Sequence, residues 1–229
     1  MKNYLSKIYV IHYTKLTERR KHILSELQKW NIGVPYEIFE PYDQEDISQL
    51  DIIEHFDMMT FRSRHAREMK RGEISLCTKY KKILQKILTE DDGDYFLILE
   101  DDVIFKEDPM VYINNLIEKC ERENIKFDCI FMGEAALRVG DNRDIFEKKP
   151  YPSTNGLCTV LYTRSAIERL AASLDSYRIT QPMDWEFNDR FKDLNFEVYW
   201  AKAITEHGSV TAIHDPRLAG LKSCLRDGY

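Results

Sequence analysis

The sequence predicts an α/β fold, a sheet flanked by helices, built as one domain over residues 1–229. Apolar runs of strand length alternate with stretches of helical periodicity along most of the chain. Clusters of Gly, Pro and Asp mark the switches between them. No repeat, low-complexity tract or linker divides the chain, and its length suits one sizeable core.

Taken in order, residues 7–13 (KIYVIHY) are β-branched and aromatic and read as a first strand. Thr17 then precedes Ile23, Leu24, Leu27 and Trp30, spaced as one helix face, until Gly33 and Pro35 stop it. Tyr36–Phe39 reads as a second strand, and residues 44–71 as short surface helices. From Gly72, the stripe Ile74, Cys77, Ile83, Leu84, Ile87 and Leu88 predicts a long helix ended by Asp91-Asp92-Gly93. The continuous apolar run Tyr95–Leu99 suits a central strand of a parallel sheet, buried on both faces. Val111–Cys120 is helical, Phe127–Met132 a strand, and residues 133–152 a loop or hairpin. Thr159–Thr163 reads as strand, Ser165–Leu174 and Met183–Leu194 as helices, and Phe196–Trp200 as the last strand. The tail from Ile204 carries two histidines and Pro216.

A net charge of −6 provides no global positive field for nucleic acid, although Arg62, Arg64, Arg67, Lys70 and Arg71 form a local basic run. Thirteen Tyr and eleven Phe argue against disorder, since such side chains are costly to leave in water. Five cysteines with no CxxC pair fit neither structural zinc nor a disulfide scaffold. A reducing, cytoplasmic setting is expected, with attachment to the inner face of a membrane left open. The N-terminal apolar run breaks too early for a signal segment, and no stretch approaches the length of a membrane span.

The strongest local signal is Glu100-Asp101-Asp102 at the end of the central strand. Ligands of open α/β sheets bind beyond the carboxyl ends of the strands. Three adjacent carboxylates repel one another, and a divalent cation offsets that repulsion. Oxygen ligands favour Mg2+ or Mn2+, which can also bridge a diphosphate. The competing reading is a solvated acidic loop or a cap for the helix near residue 108. Val103 and Ile104 do not continue the Asp-x-Asp-x-Thr of an aspartyl phosphatase.

These residues, with several others in the same order, resemble glycosyltransferase family 25, the galactosyltransferase-type enzymes of lipooligosaccharide synthesis related to collagen galactosyltransferases. Thr17-Glu18-Arg19-Arg20 is similar to the family's helix start, Arg71-Gly72-Glu73-Ile74 to its Gly-Glu-Ile-Gly motif, and Ile98–Val103 to its Leu-Glu-Asp-Asp motif. Gly156–Ala166 with Tyr162, and Pro182-Met183-Asp184, complete the ordered set over residues 6–215. Where the family has Ser and His, this chain has Lys79 and Tyr80, a departure expected to bear on donor-sugar or acceptor preference. The resemblance implies a GT-A-like nucleotide-binding sheet and an inverting transfer, usually of galactose from UDP-galactose.

The site residues follow from both readings. Asp102, then Asp101 and Glu100, are assigned to Mn2+ (or Mg2+), with His207 of His207-Gly208-Ser209 as a further ligand and His214 competing for that role. Ile11, His12, Arg19, Arg20, Glu73, Asp101 and Gly208 are placed on the donor side. Asp184 is assigned as the general base that an inverting transfer needs, with Glu186 second. Trp185, Asn155 and Gly156 are placed at the acceptor. For several of these, capping or plain packing is the competing explanation. The alternative functions are a non-catalytic nucleotide-sugar or carbohydrate binder of the same fold, favoured by Lys79 and Tyr80, and more distantly a metal-dependent phosphotransferase. The acceptor is a glycan of lipooligosaccharide, capsule or glycoprotein; oligomeric state is not legible.

Overall fold

Alternating burial along each strand builds the layers of this molecule. The computed structural model describes residues 3–133, 146–149, 151–154, 156–211 and 215–221. In β1 (Leu5–Ile11), Tyr9 and Ile11 point to one face of the sheet while Ile8 and Val10 point to the other. The same alternation sends Phe96 and Ile98 of β3 (Tyr95–Glu100) one way, and Leu97 and Leu99 the opposite way. The first face packs against α4 (Arg71–Glu90), α6 (Arg164–Ser176) and α7 (Met183–Asp193). The second packs against α1 (Thr17–Lys29) and α5 (Pro109–Arg122). Each fully buried Ile, Leu or Phe contributes about 1.5–3 kcal/mol.

Among the described residues the sheet has eight strands. Beyond β1 and β3 these are β2 (Tyr36–Phe39), β4 (Val103–Phe105), β5 (Cys129–Gly133), β6 (Glu147–Lys148), β7 (Thr159–Thr163) and β8 (Val198–His207). Their order is β2-β1-β3-β7-β5-β8-β4, with β6 also pairing with β8. β1, β2, β3, β5 and β8 all run the same way; β7 is inverted between β3 and β5. The carboxyl ends of five strands therefore share one edge with the start of β7.

Local chemistry sets the helix starts. Asp108 accepts from the amides of Met110 and Val111 ahead of Pro109, and Thr163 accepts from Ala166. Ser48 and Asp51 form a reciprocal cap for α2 (Gln49–His55), which is followed by α3 (Met58–His65). The basic run on α3 and beyond is largely paired: Arg62 with Glu68, Arg64 with Asp189 and Arg67 with Glu73. Among the described residues, no helix is long and apolar enough to cross a membrane. Cys77, Cys120, Cys129 and Cys158 are buried and form no disulfide among the described residues.

Two departures from the sequence reading matter for the site. The last strand runs on to His207 instead of stopping at Trp200, because β4 pairs with its Thr205–His207 end, while β6 pairs further back with Tyr199 and Trp200. Those two short strands have too few residues to show periodicity. Behind His207, a single helical turn (Gly208–Thr211) and a 3-10 helix (Pro216–Leu221) follow.

Candidate active site

Glu100 ends β3, Asp102 lies in the tight turn into β4, and His207 ends β8. Pairing of Val103 with His207 brings the two chain segments level. Glu100 Oε2 lies 3.2 Å from His207 Nε2, and Asp102 Oδ2 lies 3.0 Å from His207 Nδ1. One ligand atom from each residue fits within 4.8 Å of the others. Asp102 is further gripped by the loop behind His207. The Gly208 amide donates to the Asp102 carbonyl at 2.8 Å, and the Ser209 amide donates to Oδ2 at 2.9 Å. A Cβ on Gly208 would stand 2.2 Å from the Asp102 carbonyl oxygen, so glycine is required by close approach. Gly208, expected on the donor side, is thus a backbone partner of Asp102.

Asp102 is fully buried, yet its Oδ1 has no hydrogen-bond partner among the described residues. Buried polar atoms are rarely left so, and an orphan carboxylate oxygen beside a second carboxylate and an imidazole matches a cation's donor set. Burial pushes the Asp102 acid up, but the His207 hydrogen bond, the Arg19 charge and the Ser209 amide hold it down at about 2. Burial opposes a charged His207; the Asp102 and Glu100 carboxylates outweigh it and raise His207 to about 10. Without a cation, His207 is therefore an imidazolium held between two carboxylates.

Asp101, assigned to metal and donor, turns away from this cluster. It is buried, with Oδ2 2.7 Å from His12 Nδ1 and Oδ1 accepting from Arg19 at 2.8 Å. Arg19 also donates to the Leu221 carbonyl and lies 3.4 Å from Asp102. Its guanidinium is largely buried and pairs with both carboxylates. His12 is buried, and its Nε2 is unpartnered among the described residues. Ile11 packs in the core, and Arg20 pairs with Glu40 near solvent.

Asp184 and Trp185 open α7 at the same edge. Burial, opposed by the Trp185 amide and reinforced by the charges of Glu100 and Glu73, raises Asp184 to about 6. That influence of Glu100 ties α7 electrostatically to the acidic cluster. Trp185 is 49% exposed. Glu186, the second candidate base, is buried and accepts from Arg190 and from the Thr180 amide, so its carboxylate is fully committed. Glu73 accepts the Lys70 amide and the Arg67 fork, a capping role. Gly156 lies in a turn closed on Thr154, at the entry to β7. Asn155 and His214 lie outside the described residues.

The family departures sit inside the molecule. Lys79 donates to the carbonyls of His12 and Glu40, at 2.7 Å each, and to Asp43 Oδ1 at 2.8 Å. Tyr80 donates to the Leu157 carbonyl. Any effect on sugar preference would act through loop position and not through contact. Sequence reasoning missed Asp43, which accepts from Lys79, and Ser209, whose amide donates to Asp102, because these partners are distant in sequence.

Comparison with known proteins adds the following. The family model described as "Glycosyltransferase family 25 (LPS biosynthesis protein)" matches residues 5–142. A protein of Acanthamoeba polyphaga mimivirus, provisionally described as a glycosyltransferase, is 28% identical over 141 residues, 62% of this chain and 42% of its own length. The chain thus spans less than half of that relative. Among solved structures, a Drosophila β-1,4-galactosyltransferase 7 mutant in complex with manganese, UDP-Gal and xylobiose is 11% identical. Its TM-score is 0.45, over 89% of this chain and 70% of that one. A glycosyltransferase involved in glycosylation of the major capsid of PBCV-1 is 12% identical, with a TM-score of 0.45, over 89% and 94% of the two chains. Overlaps this loose transfer no ligand or residue role.

Proposed function

The chain belongs to glycosyltransferase family 25, and on that premise we propose an inverting, metal-dependent transfer of a hexose from a UDP-sugar to a glycan acceptor. Galactose is the expected sugar, and a lipooligosaccharide, capsule or glycoprotein glycan the expected acceptor. The observation that carries the reading is the convergence of Glu100, Asp102 and His207 around the orphaned Asp102 Oδ1. These three residues would hold Mn2+ or Mg2+, which supplies a Lewis acid for the diphosphate as UDP departs. Arg19 and the amides of Gly208 and Ser209 keep the Asp102 carboxylate and its turn in place.

Asp184 takes the proton of the acceptor hydroxyl. As the acceptor oxygen bonds to the sugar's anomeric carbon, the bond from that carbon to the UDP oxygen breaks, and the sugar inverts. An acid raised to about 6 is mostly ionised at neutral pH, yet basic enough to accept a proton. Trp185 beside it offers a ring face to the apolar side of a hexose. The hydrogen bonds already made by Glu186 favour Asp184 over it as the base.

Calorimetry with UDP, GDP and CMP, with and without Mn2+, tests the reading. UDP should bind with Mn2+ present, and Asp102→Asn should weaken that binding about a hundredfold or more, because even outer-layer changes at metal sites cost about 10–100-fold. UDP binding that ignores both Mn2+ and the substitution would refute it.

A further inference from the structure

Resting on the transferase reading, we infer that the 3-10 turn Pro216–Leu221 is part of the cation site, with Leu221 as the positioning residue that seats Gly208 and Ser209 on Asp102. Among the described buried apolar side chains, Leu221 alone belongs to neither of the two hydrophobic cores. It is buried instead against the polar groups behind the site. A Cβ on Gly208 would stand 2.8 Å from a Leu221 methyl carbon, so that methyl rests directly on the Gly208 backbone. Of the turn's described side chains, only Leu221 is buried.

Two further contacts fix the turn in place. Arg19 Nη2 donates to the Leu221 carbonyl at 2.8 Å and stands 3.4 Å from Asp102 Oδ2, so one guanidinium nitrogen joins the turn to the carboxylate. A Cβ on Gly220 would meet the Glu18 Cβ at 3.0 Å, so the turn lies close against the start of α1, beside Arg19. Leu221 therefore backs Gly208 while the Gly208 and Ser209 amides grip Asp102. Ser209 Oγ lies 2.9 Å from His207 Nδ1, so the same loop also sets the imidazole. With Oδ2 engaged by the Ser209 amide, His207 and Arg19, the Asp102 carboxylate is fixed in rotation and Oδ1 is the oxygen left for a cation. Groups that orient metal ligands govern affinity, because an ion gains most from ligands already in place. Shortening Leu221 would open a gap behind Gly208 and loosen the loop that aligns both ligands.

The test is calorimetry of Mn2+ with the full chain, read beside thermal unfolding of the metal-free protein. Leu221→Ala should weaken Mn2+ binding about tenfold, the scale of losing an outer partner at a metal site. Leu221→Met, which refills the space, should recover most of it. Leu170→Ala opens a cavity in the core on the opposite face of the sheet. It should lower the unfolding temperature and leave the Mn2+ affinity of the folded chain at the parent value. Hydrogen exchange of the parent chain gives a reading that needs no variant. Cation binding at Asp102 and order in the turn are linked, so saturating Mn2+ should slow exchange across residues 216–221. Mn2+ affinity unchanged in Leu221→Ala, lowered equally in Leu170→Ala, or exchange across 216–221 indifferent to Mn2+ would each overturn the inference and leave the transferase reading standing. A parent chain that binds no Mn2+, even with UDP present, would instead remove that reading and the inference with it.

Discussion

At the scale of residues, one carboxyl sets the expected pH behaviour. As the proposed base, Asp184 can accept a proton only when ionised, so kcat/KM should fall about tenfold per unit as pH drops below about 6. Its stability effect has the opposite sense. An acid whose folded value lies above its unfolded one favours the folded state at low pH, and that stability is lost as pH rises through about 6. Asp184→Asn should therefore abolish transfer, keep UDP–Mn2+ binding, and raise Tm at pH 8 more than at pH 4; a Tm gain equal at both would contradict the ionised burial. His207 makes a second prediction. Held as an imidazolium at about 10, it must lose its proton to ligate a cation. Calorimetry of Mn2+ in buffers of different ionisation enthalpy should register close to one proton released per ion at pH 7, and none in His207→Ala.

At the scale of elements, α4 does more than fill the core. Its Lys79 joins the loops after β1 and β2 by binding His12 and Glu40 carbonyls and Asp43, which also accepts from the Thr14 amide. Lys79→Met would leave a buried carboxylate without its cation, a loss of about 3–5 kcal/mol, readable by urea denaturation; a loss under about 1 kcal/mol would show the pair to be dispensable. Lys79 in the middle of an apolar helix stripe gave no sign of this role, because its partners are distant in sequence. The same limit explains Asp101. Three adjacent acids in an unbroken run look equivalent as letters, but the chain turns after Glu100, so neighbouring side chains diverge. Asp102 goes to His207 and Asp101 to His12 and Arg19. The apolar runs of β1, β3, β5 and β7 and the stripes of α4 and α6 were legible because period and burial agree. The reach of β8 to His207 was not, since it depends on pairing with β4, a strand of only three residues.

At the scale of the whole molecule, strand direction makes the site. Five strands end on one edge, and the inverted β7 starts there, so residues from the beginning, middle and end of the chain meet without long loops. His12, Glu100, Asp102, Asp184 and His207 all belong to that edge or its turns, with Arg19 tying the final 3-10 helix to the acidic pair from behind. The central claim is that this edge gathers one divalent ion against a nucleotide diphosphate. Crystals grown with UDP and Mn2+, and measured at the manganese absorption edge, test it most directly. The account predicts a single anomalous peak within ligand distance of Glu100, Asp102 and His207, joined to the diphosphate. A peak elsewhere, or UDP bound with no metal beside Asp102, would contradict it.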